Sequence, residues 1–125
     1  MDGVTNSLTL DIANKSMDAL WQRANVISNN ISNADTPGYK EKNVTFEDAL
    51  ANAINSGSIS ANTLDLIEPQ VFEVQGAEDP MGNSVNMETQ MVQLAKNQLQ
   101  YSYMEKAEND SLSMLRSAAS EGRSL

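Results

Sequence analysis

From Leu10 to Ala34, apolar residues fall at Leu10, Ala13, Met17, Leu20, Ala24, Ile27, Ile31 and Ala34, spaced alternately three and four apart. An unbroken seven-residue period of this kind keeps one narrow apolar stripe on one side of a helix. Neither Pro nor Gly interrupts the run, and Asp11, Asn14, Lys15, Asp18, Gln22 and Arg23 take the outward positions. Ser7 is suited to cap the N-terminus, and Asp11 places a negative charge near the positive end of the helix dipole. The pattern predicts a helix over 7–32, ~39 Å long at ~1.5 Å per residue. One helix of that shape cannot bury its stripe alone. It needs a partner.

The far end of the chain supplies one. Met87, Met91, Leu94, Tyr101, Leu112, Leu115 and Ala119 continue a second seven-residue register, with Asn86 placed to cap it and Gly122 to stop it. Gln98, Glu105 and Glu108 also fall on that register, and Leu99 and Met104 lie beside it, so the seam wanders. The expected fold is mainly α: two long terminal helices, 7–32 and 86–120, form an antiparallel hairpin or coiled coil. They belong to a single elongated domain over 1–125.

Between the helices the periodicity changes. Thr36-Pro37-Gly38-Tyr39 reads as a type II turn, with Pro37 at the second position and Gly38 accepting positive φ at the third; it opens an extended segment over 33–45. Thr45-Phe46-Glu47-Asp48 resembles a capping box, and Phe46, Leu50 and Ile54 share one face of a short helix over 46–55 that Gly57 closes. The stretch 56–85 reads as a flexible polar linker. Its one β-like run, Val71-Phe72-Glu73-Val74, is hemmed in by Pro69, Gly76, Pro80 and Gly82.

Composition then excludes most chemistry. The net charge is −9, which argues against nucleic acid and anionic membranes, both bound through clustered Lys and Arg. With Cys 0 and His 0, disulfides, thiolate chemistry, Cys/His zinc sites and imidazole acid–base pairs all fall away. No apolar run approaches the roughly 18 residues that span a bilayer. The N-terminal residues lack the basic and apolar regions of a cleaved secretory signal. Leu, Ile, Val and Phe make up only 26 of 125 residues, little bulky mass for a self-sufficient core.

No other constellation points to catalysis or to a cofactor. Asp79 through Glu88 loosely resembles a calcium loop, but Met81 stands at the third position and the terminal Glu comes too early; the run reads as a turn feeding a helix. Glu105 and Glu108 read as a solvated face. A Ser–Lys pair through Lys15 or Lys96 has no feature behind it. The methionines at helical spacing read as adaptable core fillers.

The asparagines are the sharper feature. Asn25, Asn29, Asn30 and Asn33 crowd the last turns of the first helix, although Asn is a mediocre helix former. Two readings stay open here: a helix end fraying into a turn, or neutral donors and acceptors meeting other chains.

The run Ala24-Asn25-Val26-Ile27-Ser28-Asn29-Asn30-Ile31-Ser32-Asn33-Ala34-Asp35-Thr36-Pro37-Gly38-Tyr39-Lys40 resembles the N-terminal signature of bacterial flagellar axial proteins, the rod and hook family. That signature is an Asn-Ile-Ala-Asn core before a Thr-Pro-Gly-Tyr turn, with Ser32 here in place of alanine. Lys40 to Phe46, Ala49-Leu50, and Gly82-Asn83-Ser84-Val85-Asn86-Met87-Glu88 with Leu94-Ala95, Asn97 and Tyr101 are similar to a proximal rod subunit of that family. Another short rod protein fits the second run less well, and hook and filament proteins carry large inserted domains that this chain lacks.

The resemblance implies a structural subunit of the proximal rod in the flagellar basal body, needed for flagellum assembly and motility. It implies no enzymatic activity and no cofactor. The subunit would leave the cell through the flagellar type III export apparatus without a cleaved signal. It would pack helically around a central channel and contact other rod subunits and the rod adaptor protein at the membrane ring. Leu10, Met17, Leu20, Ile27 and Ile31 are then expected to meet Met91, Leu94, Tyr101, Leu112 and Leu115, partly within the chain and partly between chains, with Ala13 and Ala24 also on the assembly interface. Asn29, Asn30 and Asn33 would satisfy polar groups at subunit contacts, and Thr36, Pro37, Gly38 and Tyr39 would set the exit from the helix. The alternative from another class is a soluble helical-hairpin secretion chaperone or regulator; a small acid-only hydrolase is a distant third.

Overall fold

The computed structural model describes residues 2–57 and 59–123. Two helices dominate: α1, Asp2–Ser32, and α4, Met87–Arg123. They run antiparallel, since Leu20 meets Asn97 while Asn30, further along α1, meets Gln90, earlier on α4. Between them lie β1 (Lys42–Thr45), α2 (Glu47–Asn55), α3 (Ala61–Asp65) and β2 (Gln70–Glu73). The fold is mainly helical, as the two heptad runs predict.

The termini of these elements follow local chemistry. Helix α1 begins at Asp2 rather than near Ser7, so the Ser7 cap is not used. Asn86 does cap α4, its Oδ1 accepting the Thr89 N–H at 3.1 Å. Gly122 lies inside α4 and does not stop it. Tyr39 N–H donates to Thr36 C=O at 3.1 Å across a turn whose Gly38 has φ of 79°, the type II geometry that Pro37-Gly38 predicts. At α2 the Thr45 capping box does not form: Phe46 is the N-cap residue and makes no side-chain cap bond. A complete capping box occurs instead at α3, between Ser60 and Thr63.

The stretch expected to be a flexible linker is ordered in two places. Leu64 of α3 is buried, and β2 pairs antiparallel with β1 in the register Lys42–Glu73, Asn43–Phe72, Val44–Val71 and Thr45–Gln70. The ladder continues with Val74 N–H donating to Glu41 C=O at 2.8 Å. Glycine and proline in this stretch shorten the elements without abolishing them, because their partners lie elsewhere in the chain.

The period of the α1 stripe matches expectation, but its phase differs. Among the described residues, those buried on α1 are Ala13, Ser16, Ala19, Leu20, Ile27 and Asn30, and those on α4 are Gln90, Asn97 and Ser111, seven or fourteen apart. Ala13, Leu20 and Ile27 are buried, and Leu20 meets Asn97 of α4. The alternate row of the seam is Ser16, Arg23 and Asn30, not Met17, Ala24 and Ile31, which remain half-buried on the adjoining flank. The main apolar cluster joins Ala19, Leu20 and Phe46, with Leu50, Tyr101 and Met104 packed against it.

Candidate assembly face

The polar half of the seam is held by closed hydrogen bonds. Asn30 is fully buried. Its Nδ2 donates to Lys42 C=O at 2.7 Å and to Gln90 Oε1 at 2.9 Å, while its Oδ1 accepts from Lys42 N–H at 3.0 Å and Tyr39 Oη at 3.1 Å. The carboxamide thus answers both backbone groups of Lys42, as a neighbouring strand would. Gln90 Nε2 passes the chain on to Glu41 Oε1. Burial pushes the Tyr39 phenol and the Glu41 carboxyl above their ordinary pKa values.

Arg23 ties the same strand from about two turns earlier on α1. Its Nη2 donates to Val44 C=O at 2.7 Å and Glu47 Oε2 at 2.8 Å, and its guanidinium lies 5.0 Å from the Phe46 ring centroid. Partial burial raises the Glu47 carboxyl, but the hydrogen bond from Arg23, the backbone N–H groups of Glu47 and Phe46, and the Arg23 charge outweigh it. Its pKa is held below the ordinary value.

A second joint fastens the turn. Gly38 N–H donates to Met81 C=O at 2.9 Å and to Asn83 Oδ1 at 2.8 Å, and Asn83 Nδ2 donates to Ala34 C=O at 2.6 Å. Lys40 Nζ reaches Gly82 C=O and pairs with Glu78. Asp79 Oδ1 accepts the Met81 and Asn83 N–H groups at 2.8 and 2.9 Å, so the calcium-like run is a turn held by its own aspartate.

These contacts revise the expected role of the asparagines. Asn30 is spent inside the chain. Asn33 Nδ2 donates to Asn29 C=O at 2.8 Å and its Oδ1 accepts from Thr36 Oγ1 at 3.1 Å, closing the helix end. The Asn29 side chain is exposed. Arg23, Gln90, Asn83 and Asn97 organise the hairpin; periodicity treats such residues as surface, and Asn83 and Asn97 entered the sequence reading only through the family resemblance.

What stays open to other molecules is apolar. Trp21 is 64% exposed and borders a groove of ≈ 360 Å³ with Leu20, Ala24, Asn97, Gln98, Tyr101 and Ser102. Leu10, Met17, Ala24 and Ile31 continue the flank along α1, and Leu94, Tyr101, Leu112 and Leu115 are half-buried on α4. Met91 of the expected seam is 62% exposed. Val92, Leu99, Tyr103 and Met114 leave a further outward row on the same helix. Thr36, Pro37 and Gly38 are exposed, while Tyr39 turns inward.

Two long helices whose outer faces carry unburied aromatic and aliphatic side chains define an assembly subunit. The family model for flagella basal body rod proteins matches residues 10–40, which hold the α1 stripe, the asparagines and the turn. The chain is 31% identical over 112 residues to the flagellar basal body rod protein FlgB of Borrelia hermsii, spanning 76% of this chain and 83% of that protein. It is 31% identical to the Escherichia coli (strain K12) FlgB over 64% of this chain and 70% of that one. With the Bacillus subtilis (strain 168) FlgB it shares 27% identity over 78% and 82% of the two chains. The chain belongs to the FlgB family of flagellar basal body rod proteins.

Proposed function

We propose that this chain, a structural subunit of the flagellar basal body rod and not an enzyme, joins the proximal rod through the open flank of α1 and the outer face of α4. The observation that carries the reading is the groove of Trp21, Leu20, Ala24 and Tyr101. A tryptophan 64% exposed beside other apolar groups gains by leaving water, and only another molecule can cover it. Repeated head to tail between copies with a rotation that does not close, such a contact builds an open helical array. Leu10, Met17, Ala24, Ile31, Met91, Leu94, Tyr101, Leu112 and Leu115 then form contacts between chains, and Ala13, Leu20 and Ile27 contacts within one. The partners are other flagellar basal body components. The rod adaptor protein at the membrane ring and the type III export apparatus are the specific ones proposed, with the rod crossing the cell envelope.

Trp21→Asp tests this in flagellated cells that carry no other copy of the chain. Because Trp21 is exposed, the purified variant keeps the circular dichroism and melting of the parent within about 0.5 kcal/mol. The expected result is a folded chain missing from isolated basal bodies, in non-motile cells. Normal incorporation and swimming would overturn the proposal. Sedimentation of the parent separates it from the chaperone alternative, which requires a small oligomer of fixed size.

A further inference from the structure

The two outer edges of the β1–β2 pair are treated differently. On β1, Lys42 and Val44 turn their backbone groups away from β2, because the ladder bonds belong to Glu41, Asn43 and Thr45. All of those outward groups are answered. Asn30 takes the N–H and C=O of Lys42, Arg23 takes the C=O of Val44, and Asn43 Oδ1 accepts the Val44 N–H at 2.8 Å. On β2 the same alternation turns Val71 and Glu73 outward, and among the described residues nothing meets their backbone groups. Val71 is 48% exposed and Phe72 45%. Glu73 is in no ion pair among the described residues, and the ammonium of Lys42, its cross-strand neighbour, lies 5.9 Å from the Tyr39 ring centroid.

Charge selects what fits this edge. Along the chain, eight of the seventeen acids and none of the eight bases lie between Lys42 and Lys96. Lys42 stands across from Glu73 on the inner side of the pair, and the outer edge of β2 itself carries an acid and no base, so it favours a basic partner. A second copy cannot supply one in extended form. Its Lys15, Arg23, Lys96, Lys106, Arg116 and Arg123 sit on helices, and its Lys42 opens, with Lys40 just before it, a strand already engaged on both sides. We propose that the outer edge of β2 receives an extended segment of a different basal-body chain, hydrogen-bonded to Val71 and Glu73 and carrying a lysine or arginine beside the Glu73 carboxylate. This surface is separate from the helical flank and goes beyond the rod contacts above.

The test is photocrosslinking in flagellated cells with Phe72 replaced by benzoyl-phenylalanine, and Trp21 replaced likewise in a parallel strain. The expected product at position 72 joins a chain other than this one, at a non-helical segment with Lys or Arg next to the attachment point. Glu73→Lys, and Val71→Pro, should each abolish that product when added to the position-72 strain. Val71→Pro removes the outward N–H and no β1–β2 bond, so its melting should match the parent. A product only with a second copy, a product indifferent to both substitutions, or no product overturns the proposal. If position 21 still crosslinks copies in that case, the helical reading survives; if position 21 alone fails, the helical reading falls and the edge proposal stands.

Discussion

Asn30 and Gln90, sixty positions apart, meet side chain to side chain at 2.9 Å with neither exposed to solvent. That contact fixes where the end of α1 lies against the start of α4. It also seats β1, because the same Asn30 carboxamide brackets Lys42. In this chain Asn30 and Asn33 therefore act within the subunit, holding the end of α1 in one geometry.

Asn30→Ala strands buried groups on Lys42, Gln90 and Tyr39 at once. The expected loss is roughly 2–3 kcal/mol in urea denaturation of the purified chain. Asn30→Leu combined with Gln90→Leu should cost less than the sum of the single changes, with a coupling of about 1 kcal/mol. Strict additivity would show that the two side chains act independently.

Gly38 stands at φ of 79°, with nothing within 4 Å of where a Cβ would sit. Gly38→Ala thus meets a backbone penalty and no clash, for an expected loss of about 1–2 kcal/mol. Gly38→Asn should recover part of it, since asparagine tolerates the left-handed region. Equal losses for both variants would point to a packing cause instead.

Acid should weaken the joint between α1 and α2. Glu47 has a lowered folded pKa, so its contribution is present above the unfolded value and is lost as pH falls through the folded one. Glu47→Gln should be less stable than the parent at pH 7, by no more than about 1 kcal/mol for so exposed a pair, and the difference should vanish in strong acid. Glu41 works in the opposite sense: its folded pKa is raised, so its contribution is full below the ordinary carboxyl range and declines as pH rises. Denaturation midpoints from acid to neutral pH for Glu47→Gln and Glu41→Gln check both directions.

The sequence carried the period of the hairpin but not its phase. Hydropathy places Met17, Ala24 and Ile31 on the buried stripe, whereas the structure buries Ser16 and Asn30 beside it and leaves that apolar row half open. Asn30 is cheap to bury only because Lys42, Tyr39 and Gln90 close its hydrogen bonds, and pairings that distant leave no local pattern. The Thr36–Tyr39 turn was legible because Pro37 and Gly38 dictate it locally. β2 was hard to recognise for the opposite reason: its ladder partner lies nearly thirty positions upstream.

Asn97 stands at the seam opposite Leu20, 3% exposed, with Nδ2 on the Leu20 carbonyl at 2.8 Å and Oδ1 buried without a hydrogen-bond partner among the described residues. An unanswered acceptor is a cost to the hairpin. Asn97→Leu removes that acceptor and adds apolar contact with Leu20, while the Leu20 carbonyl keeps its own helical bond. The isolated chain should therefore gain about 1 kcal/mol. Of the described buried polar residues in the seam, Asn97 is the one with an unanswered oxygen. A buried polar residue in a heptad seam also helps to fix register, so the same variant should form additional oligomers in sedimentation and enter basal bodies poorly. A variant both less stable and still monodisperse would mean that Asn97 serves the hairpin itself, and that its open oxygen carries no penalty.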